Sequence, residues 1–252
     1  MNHVFVLFFF SVYSQVIFNS AAHYWPFNRE TGIVDSKTNV TGVKYGQTKN
    51  IYYKGPGYGF LHTDGKAWID LGNFTDSCLV EPARCQPALT VFLWLKYAQN
   101  KNRTYFVGTS SHLTFSKGFT IYKESDKRAK DSIVLRVNDG QREWSGNLTL
   151  KPKTWSHVAF TWDASSGLAL FQNCRQMALI WESKLQTPIR GNGSNILEHH
   201  LSLSGAQNND PNAGSKASYE DLAVLYRKIE PAEWDQICHH KLGQFATDKE
   251  GP

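Results

Sequence analysis

Histidine is the first residue type to examine for chemistry, because it serves as a metal ligand and as a general base. Two adjacent pairs occur, His199-His200 and His239-His240. Neighbouring residues on a strand point to opposite faces, so neither pair is placed to chelate one ion. A G-x-S-x-G motif, which would present a nucleophilic serine, is absent from the sequence. His157 lies in an alternating segment, and this favours a packed or hydrogen-bonded histidine.

Carboxylates could support hydrolysis of a glycosidic bond, which needs two of them facing one sugar ring, about 5–5.5 Å apart in retaining enzymes. On a strand such a pair would read E-x-D-x-x-E, and the sequence has no such motif. The acids at Glu220-Asp221 and Glu233-Trp234-Asp235 have the wrong spacing. We therefore predict no catalytic residue and no enzymatic activity.

The four cysteines predict disulfides. The spacings from Cys78 to Cys85 and from Cys174 to Cys238 fit no C-x-x-C metal pattern, and disulfides persist in an oxidising compartment. Three connectivities are possible. We favour Cys78–Cys85 with Cys174–Cys238, because the first pair closes a short proline-containing loop between two strands. The chain-entropy relation gives roughly 2–3 kcal/mol for the short loop and about 4 kcal/mol for the long one.

The amino terminus predicts a secretory signal peptide over residues 1–22. An apolar run from Val4 to Phe10 continues brokenly to Phe18, and small residues follow at positions 20–22. This is the pattern of a leader with a cleavage site. Polar residues interrupt the run before the roughly 20 apolar residues that a membrane helix needs. We expect cleavage after Ala22, a mature chain that begins at His23, and no insertion into a membrane.

Five N-x-[ST] sequons follow the leader, at Asn39, Asn73, Asn102, Asn147 and Asn192. Glycans must sit on exposed surface. Together with the leader, the sequons predict a secreted, extracellular glycoprotein.

Composition predicts one large domain over residues 23–252. The chain has 252 residues, of which 41% are hydrophobic and 13% aromatic, enough for a single core. The net charge is +5, and the densest basic segment, residues 123–130, is diluted by acids. Because nucleic-acid binding needs a basic stripe on one face, we predict no nucleic-acid partner. Attraction to anionic polysaccharide remains open.

Period-two alternation predicts an all-β fold. The clearest segment spans residues 155–176, where two alternating runs flank a polar turn at residues 163–167. Further strands are predicted over residues 67–71, 89–97, 104–107, 119–122, 132–137, 201–204 and 222–226, with a hairpin turn at 138–140. A proline-initiated helix is predicted over residues 231–238. The predicted core includes Phe92, Trp94, Val158, Phe160 and Trp162.

Several segments together resemble the laminin G-like and pentraxin domains. Residues 155–176, with the form W-x-H-V-A-x-T-W-D-x-x-x-G, resemble the central hairpin of those domains. Residues 60–72 resemble the "FDG…YVDLG" strand pair, and residues 89–96 resemble the "FTISFWVK" strand. Residues 23–36 resemble the first strand and turn, and residues 219–238 the closing strand with its "LSAEEI" turn. The resemblance implies a two-sheet antiparallel jelly roll of the concanavalin A type with one short carboxy-terminal helix.

The resemblance also implies a function and a possible ion. Domains of this kind occur in invertebrate extracellular adhesion and skeletal-matrix proteins, so we expect a module that binds an extracellular glycan or a matrix or cell-surface protein. The alternative is a structural component of an extracellular, including mineralised, matrix. Trp68, Trp144 and Trp181 are the candidates to stack on a sugar. Related domains often hold calcium where the first and last strands meet, and the matching positions here are Asp35 and Asp221. The alternative is that Asp35 and Asp221 are surface acids that cap turns, and that no cofactor is bound.

Overall fold

A computed structural model describes residues 17–46, 48–52, 59–98, 103–109, 117–124, 131–185, 199–205 and 214–238. These residues form sixteen strands: β1 (His23–Trp25), β2 (Val43–Tyr45), β3 (Thr48–Tyr52), β4 (Gly59–Asp64), β5 (Trp68–Asn73), β6 (Leu89–Tyr97), β7 (Thr104–Gly108), β8 (Gly118–Lys123), β9 (Ser132–Asn138), β10 (Arg142–Thr149), β11 (Ser156–Asp163), β12 (Gly167–Gln172), β13 (Arg175–Ile180), β14 (Lys184–Leu185), β15 (His200–Leu203) and β16 (Lys216–Leu225). A 3-10 turn covers Pro82–Arg84, and helix α1 covers residues 231–238.

The strands form two antiparallel sheets, as predicted. Sheet 1 has the order β13-β12-β11-β6-β16-β4-β3, and β1 pairs with the far end of β16. Sheet 2 has the order β14-β10-β9-β8-β7-β15-β5-β2. Strands distant in sequence lie side by side, since β16 pairs with both β6 and β4. The two-sheet jelly-roll fold class is therefore confirmed.

The predicted central hairpin is β11 and β12, whose register pairs Val158 with Gln172 and Asp163 with Gly167. Oδ1 of Asp163 accepts hydrogen bonds from the backbone N–H groups of Ser165 (2.8 Å) and Ser166 (2.7 Å). Gly167 then adopts φ +78°, and a Cβ there would lie 2.2 Å from the carbonyl oxygen of Ile180. The aspartate and the glycine thus set the turn that aligns the two strands.

The core between the sheets takes alternate residues of each strand. Val158, Phe160 and Trp162 of β11 all face it, as period-two alternation requires. Trp144 also lies in this core, with its ring 5.3 Å from that of Trp162. Burial of Trp144 removes it from the sugar-stacking candidates, because its indole faces the opposite sheet and only 2% of the residue is exposed.

A second hydrophobic cluster covers the outer face of sheet 1. Phe92 and Trp94 belong to it, so they are buried as predicted but on the opposite side of the sheet from Val158. Helix α1 closes this cluster with Trp234, whose ring lies 6.0 Å from that of Phe92. Ile17 also packs here, which places the last residues of the predicted leader against the domain.

The structure contains both favoured disulfides. Cys78–Cys85 closes the loop before β6, and Cys174–Cys238 ties helix α1 to the turn between β12 and β13. The alternation did not predict β2, β10 and β14 of sheet 2 or β1, β3, β4 and β13 of sheet 1. Of these, β1 and β4 were expected only from the family resemblance. Within the described part of the chain, no helix is both long and apolar enough to cross a membrane.

Candidate binding face

The outer face of sheet 2 gathers aromatic and charged side chains on neighbouring strands. Strand alternation sends Ile133, Leu135 and Val137 of β9 into the core, so Val134 and Arg136 point outward. The same rule on β8 buries Phe119 and Ile121 and places Tyr122 outside. The outward side chains of β10, β9, β8, β7, β15, β5 and β2 share this face, which we call the binding face.

Two tyrosines form the middle of the binding face. Tyr105 and Tyr122 are directly paired across β7 and β8, and their rings stack with centroids 5.5 Å apart. Burial raises the pKa of each phenol, so both hydroxyls stay protonated at neutral pH. We call these two rings the tyrosine pair.

Two guanidinium groups lie over one ring of the tyrosine pair. The Arg103 guanidinium carbon is 5.5 Å from the Tyr122 ring centroid, and that of Arg136 is 5.9 Å from it. Both distances lie within cation–π range. Arg103 also donates from Nε and Nη2 to Oε1 of Glu124, at 2.9 and 2.6 Å. Two guanidinium groups therefore lie close to the Tyr122 ring, and one of them is held in place by Glu124.

The carboxylates of the binding face are each matched to a basic group. Glu124 pairs with Arg103, and Oε2 of Glu143 lies 3.7 Å from Nη1 of Arg136. Asp70 on β5 contacts Nδ1 of His200 on β15 at 2.8 Å. Each of these three acids therefore lies beside a basic side chain.

An aromatic stack ends the binding face at the edge strand β2. Tyr45 and Trp68 stack with centroids 3.9 Å apart and planes at 5°. Tyr45 is 41% exposed, and Trp68 is half-buried. Of the three tryptophans proposed for sugar stacking, Trp68 thus lies on the binding face. Trp181 is 63% exposed but follows β13 of sheet 1.

The two acids proposed as calcium ligands lie beside β1, but each already accepts hydrogen bonds from other groups of the protein. The carboxylate of Asp35 accepts hydrogen bonds from the Tyr24 and Lys37 backbone N–H groups, from the Thr38 hydroxyl and from the His23 ring. Burial alone raises the pKa of Asp35, but these donors outweigh it and hold that pKa below its usual value. Asp221 accepts a hydrogen bond from the Tyr24 hydroxyl at 2.7 Å. Calcium would have to displace several of these donors.

The predicted histidine and sequon positions are distributed over the molecule. His157 is fully buried among aromatic rings, as the alternation indicated. It also approaches Cys174 and Cys238, but their sulfurs are bonded to each other and provide no thiolate for a metal. Asn39 and Asn147 are exposed on a turn and on β10, and Asn73 ends β5. Asn102, Asn192 and the pair His239-His240 lie outside the described residues.

Sequence reasoning missed the tyrosine pair and its arginines. Arg103, Tyr105, Tyr122 and Arg136 come from three segments, and only the register of β7, β8 and β9 brings them together. The sequence signal that could have indicated this cluster is the presence of aromatic or basic residues at the outward positions of β7, β8 and β9.

Comparison with known families agrees with this geometry. A family profile described as the concanavalin A-like lectin/glucanases superfamily, in its laminin G branch, matches residues 67–233. The chain belongs to this superfamily. The matched region contains both the central hairpin and most strands of the binding face, so the resemblance inferred from the motifs is confirmed.

The chain is also similar to part of a receptor of much greater length. The chain is 24% identical over 228 residues to human adhesion G-protein coupled receptor D1, a match that covers 90% of this chain and 24% of the receptor. The bovine receptor of the same name is 26% identical over 161 residues, which cover 64% of this chain and 16% of that protein. The chain thus spans about a quarter or less of these relatives.

Solved structures support the fold alone. The receptor binding domain of botulinum neurotoxin mosaic serotype C/D has a TM-score of 0.60 at 12% identity, covering 90% of this chain and 52% of that one. The serotype D ligand binding domain in complex with N-acetylneuraminic acid has a TM-score of 0.61 at 12% identity, covering 91% and 53%. At these identities the likeness shows a shared jelly roll.

Proposed function

We propose that this chain is a secreted, non-catalytic recognition module that binds an extracellular glycan through the binding face of sheet 2. The observation that carries the proposal is the tyrosine pair with two guanidinium groups over one of its rings. Superfamily membership and the likeness to an adhesion receptor support a binding role. The paired cysteines support an extracellular location, since disulfides persist in oxidising compartments.

The chemistry of the face suits a sugar. A pyranose ring has an apolar side that packs on an aromatic ring and a rim of hydroxyls that exchange hydrogen bonds with polar groups. Tyr122, which is half-buried and stacks on the buried Tyr105, and the Tyr45–Trp68 stack supply flat apolar surface. The arginine–glutamate pairs supply donors and acceptors in fixed positions beside one of these surfaces. Since these positive and negative groups are balanced, the face favours a neutral saccharide.

Non-catalytic binding follows from the same groups. Each described carboxylate of the face lies beside a basic side chain, and we expect none of them to act as a general acid. Hydrolysis assays on glucans with the purified protein should therefore show no turnover, and activity above that of a Glu143→Gln variant would contradict this part of the proposal.

A glycan array with matched variants tests the binding role. After enzymatic removal of its own N-linked glycans, the wild-type protein should retain one class of neutral glycan. Tyr122→Ala and Trp68→Ala, treated in the same way, should each weaken that binding by about tenfold or more, because loss of a stacking contact of about 1.4 kcal/mol has this effect. Trp181→Ala, an exposed tryptophan of the other sheet, is the control and should bind as the wild type does.

The alternative role, a structural part of an extracellular matrix, predicts a different result. A purely structural component would bind no glycan class above background and would instead assemble with matrix proteins. Absence of array binding by the wild-type and Trp181→Ala proteins, together with retention on decellularised matrix, would favour that alternative.

A further inference from the structure

Asn147 is a sequon residue that lies inside a strand and on the binding face. On β10 the core-facing residues are Trp144 and Leu148, so Asn147 and Thr149 point outward, and both are exposed. Asn39 differs from it because it lies in a turn, and Asn73 differs because it ends its strand. The Asn147 side chain therefore starts on the surface that carries the tyrosine pair.

Strand register places Asn147 in one row with the tyrosine pair. Asn147 pairs with Val134 on β9, Val134 pairs with Tyr122 on β8, and Tyr122 pairs with Tyr105 on β7. Neighbouring strands lie about 4.8 Å apart, so Tyr122 is about 10 Å from Asn147 along this row. The first sugars of an N-linked glycan can cover that distance.

We propose that an N-linked glycan carried by Asn147 lies across Val134 and Tyr122 and covers this half of the binding face. The attachment joins Nδ2 of Asn147 to C1 of an N-acetylglucosamine residue, with loss of one amide proton and of the diphosphate leaving group of a lipid-linked donor. The binding face thereby has a ligand within its own chain, of the neutral saccharide class.

The side chains along the row suit such a ligand. Val134 is half-buried and gives apolar surface next to the attachment point. Tyr122, also half-buried, presents a ring that Arg136 approaches from β9. The guanidinium of Arg136 provides hydrogen-bond donors at the place where the hydroxyl or acetamido groups of the first sugars would lie.

The part of the binding face that the Asn147 glycan would cover does not include the Tyr45–Trp68 stack. Tyr45 and Trp68 lie on β2 and β5, which are separated from β8 by β7 and β15. The Asn147 glycan would therefore leave the Tyr45–Trp68 stack open to an external saccharide. The inference rests on the sugar-binding chemistry proposed for this face, but its test needs no external ligand.

Release of the glycans from the folded protein tests the contact. The protein is secreted from a eukaryotic host, and peptide mapping first establishes that Asn147 is occupied. Peptide N-glycosidase acting on the native protein should release the Asn147 glycan at least about tenfold more slowly than the Asn39 glycan, a ratio equivalent to about 1.4 kcal/mol of favourable contact. The Tyr122→Ala variant should lose this difference, while release at Asn39 stays unchanged.

Hydroxyl-radical footprinting gives a second measurement that leaves Tyr122 in place. Labelling of Tyr122 should rise in Asn147→Gln relative to wild type and relative to the matched variant Asn39→Gln. Labelling of Tyr45, at the far edge of the face, should be the same in all three proteins.

Three results would overturn the inference: an unoccupied Asn147, equal release at Asn147 and Asn39, or Tyr122 labelling that does not respond to Asn147→Gln. These results differ from failure of the proposed function. If no glycan on the array is bound but the Asn147 glycan is released slowly, only the proposed binding of an external glycan is contradicted. If the array shows binding but the Asn147 glycan is released as fast as the Asn39 glycan, only the internal contact is contradicted.

Discussion

At the scale of single residues, His157 is a buried histidine surrounded by aromatic side chains. Its imidazole lies 5.4 Å from the ring of Phe92, 5.3 Å from that of Trp94 and 5.7 Å from that of Trp234. Nε2 has no hydrogen-bond partner in the described part of the chain. Burial lowers the pKa of His157 to about 3, so the neutral form is the one that fits this site.

This buried base should make folding stability depend on pH in the mildly acidic range. Below about pH 6.5 His157 is protonated in the unfolded chain but stays neutral in the folded chain. The free energy of unfolding therefore falls as the pH falls towards 3. The slope contributed is up to about 1.4 kcal/mol per pH unit. Urea unfolding between pH 7 and pH 5 should show this slope in the wild type and a smaller one in His157→Phe. Parallel curves for the two proteins would show that His157 is not responsible.

Two tryptophans provide a matched test of the core assignment. Trp162 is 1% exposed and packs on Trp144 between the sheets, whereas Trp181 is 63% exposed. Trp162→Ala should lower the free energy of unfolding by about 3–5 kcal/mol, because it leaves a large cavity. Trp181→Ala should change it by less than about 0.5 kcal/mol. Similar losses for both variants in chemical denaturation would contradict the assigned faces of β11.

At the scale of elements, helix α1 is held to the outer face of sheet 1 by packing and by one covalent link. Trp234 stacks on Phe171 with centroids 4.6 Å apart, and Cys238 is bonded to Cys174 beside β12. Before the helix begins, Arg227 also makes hydrogen bonds of 2.7 and 2.8 Å to the two carboxylate oxygens of Glu233. The helix therefore covers apolar surface that the sheet cannot bury by itself.

Removal of the long-range disulfide should weaken this attachment. The bond joins residues 64 positions apart, for which the chain-entropy relation gives about 4 kcal/mol. Cys174→Ala with Cys238→Ala should lose stability of that order, and amide exchange should rise first in residues 231–238. Cys78→Ala with Cys85→Ala, which opens a loop of separation 7, is the control and should lose roughly 2–3 kcal/mol. A larger loss in the control would argue against this account.

At the scale of the whole molecule, cleavage of the predicted leader would change which residues take part in the fold. The predicted cleavage after Ala22 would leave His23, the first residue of β1, as the new amino terminus. It would also remove Ile17 and Phe18, whose side chains pack against the second cluster in the chain as described here. Phe18 stacks on Tyr24 with centroids 4.4 Å apart, so cleavage would uncover one side of that ring.

Secretion from a eukaryotic host tests the leader and the sequons together. We expect amino-terminal sequencing of the medium protein to begin at His23, and we expect its mass to fall on treatment with peptide N-glycosidase. In a variant in which Ala22 is replaced by a large residue, cleavage should be slower or should occur at another site. An intracellular product without glycans would refute both predictions.

The calcium site remains a prediction that thermal melting can decide. A ligand at 100 times its Kd adds about 2.7 kcal/mol to stability, so calcium bound by Asp35 and Asp221 should raise the Tm at millimolar calcium. Asp35→Asn with Asp221→Asn should abolish that rise. If the Tm is the same in calcium and in chelator, the hydrogen bonds already made by these carboxylates are their whole role.

The sequence by itself determined the fold class, the central hairpin and the terminal helix, and it favoured one of three disulfide pairings. These follow from local rules, since alternation fixes which residues of β11 share a face and Asp163 with Gly167 fixes its turn. The strand boundaries were less exact: β10 was missed because Gly146 occupies a core-facing position between Trp144 and Leu148.

Only the tertiary structure decided what lies together on the binding face. Arg103, Tyr122 and Arg136 become neighbours through the register of β7, β8 and β9, and a shift of one residue would send each side chain to the other face. Phe92 and Val158 show the same limit: alternation predicts that each is buried, but only the packing of helix α1 shows that they lie on opposite sides of sheet 1. Register and layer packing join segments far apart in sequence, so no local pattern encodes them.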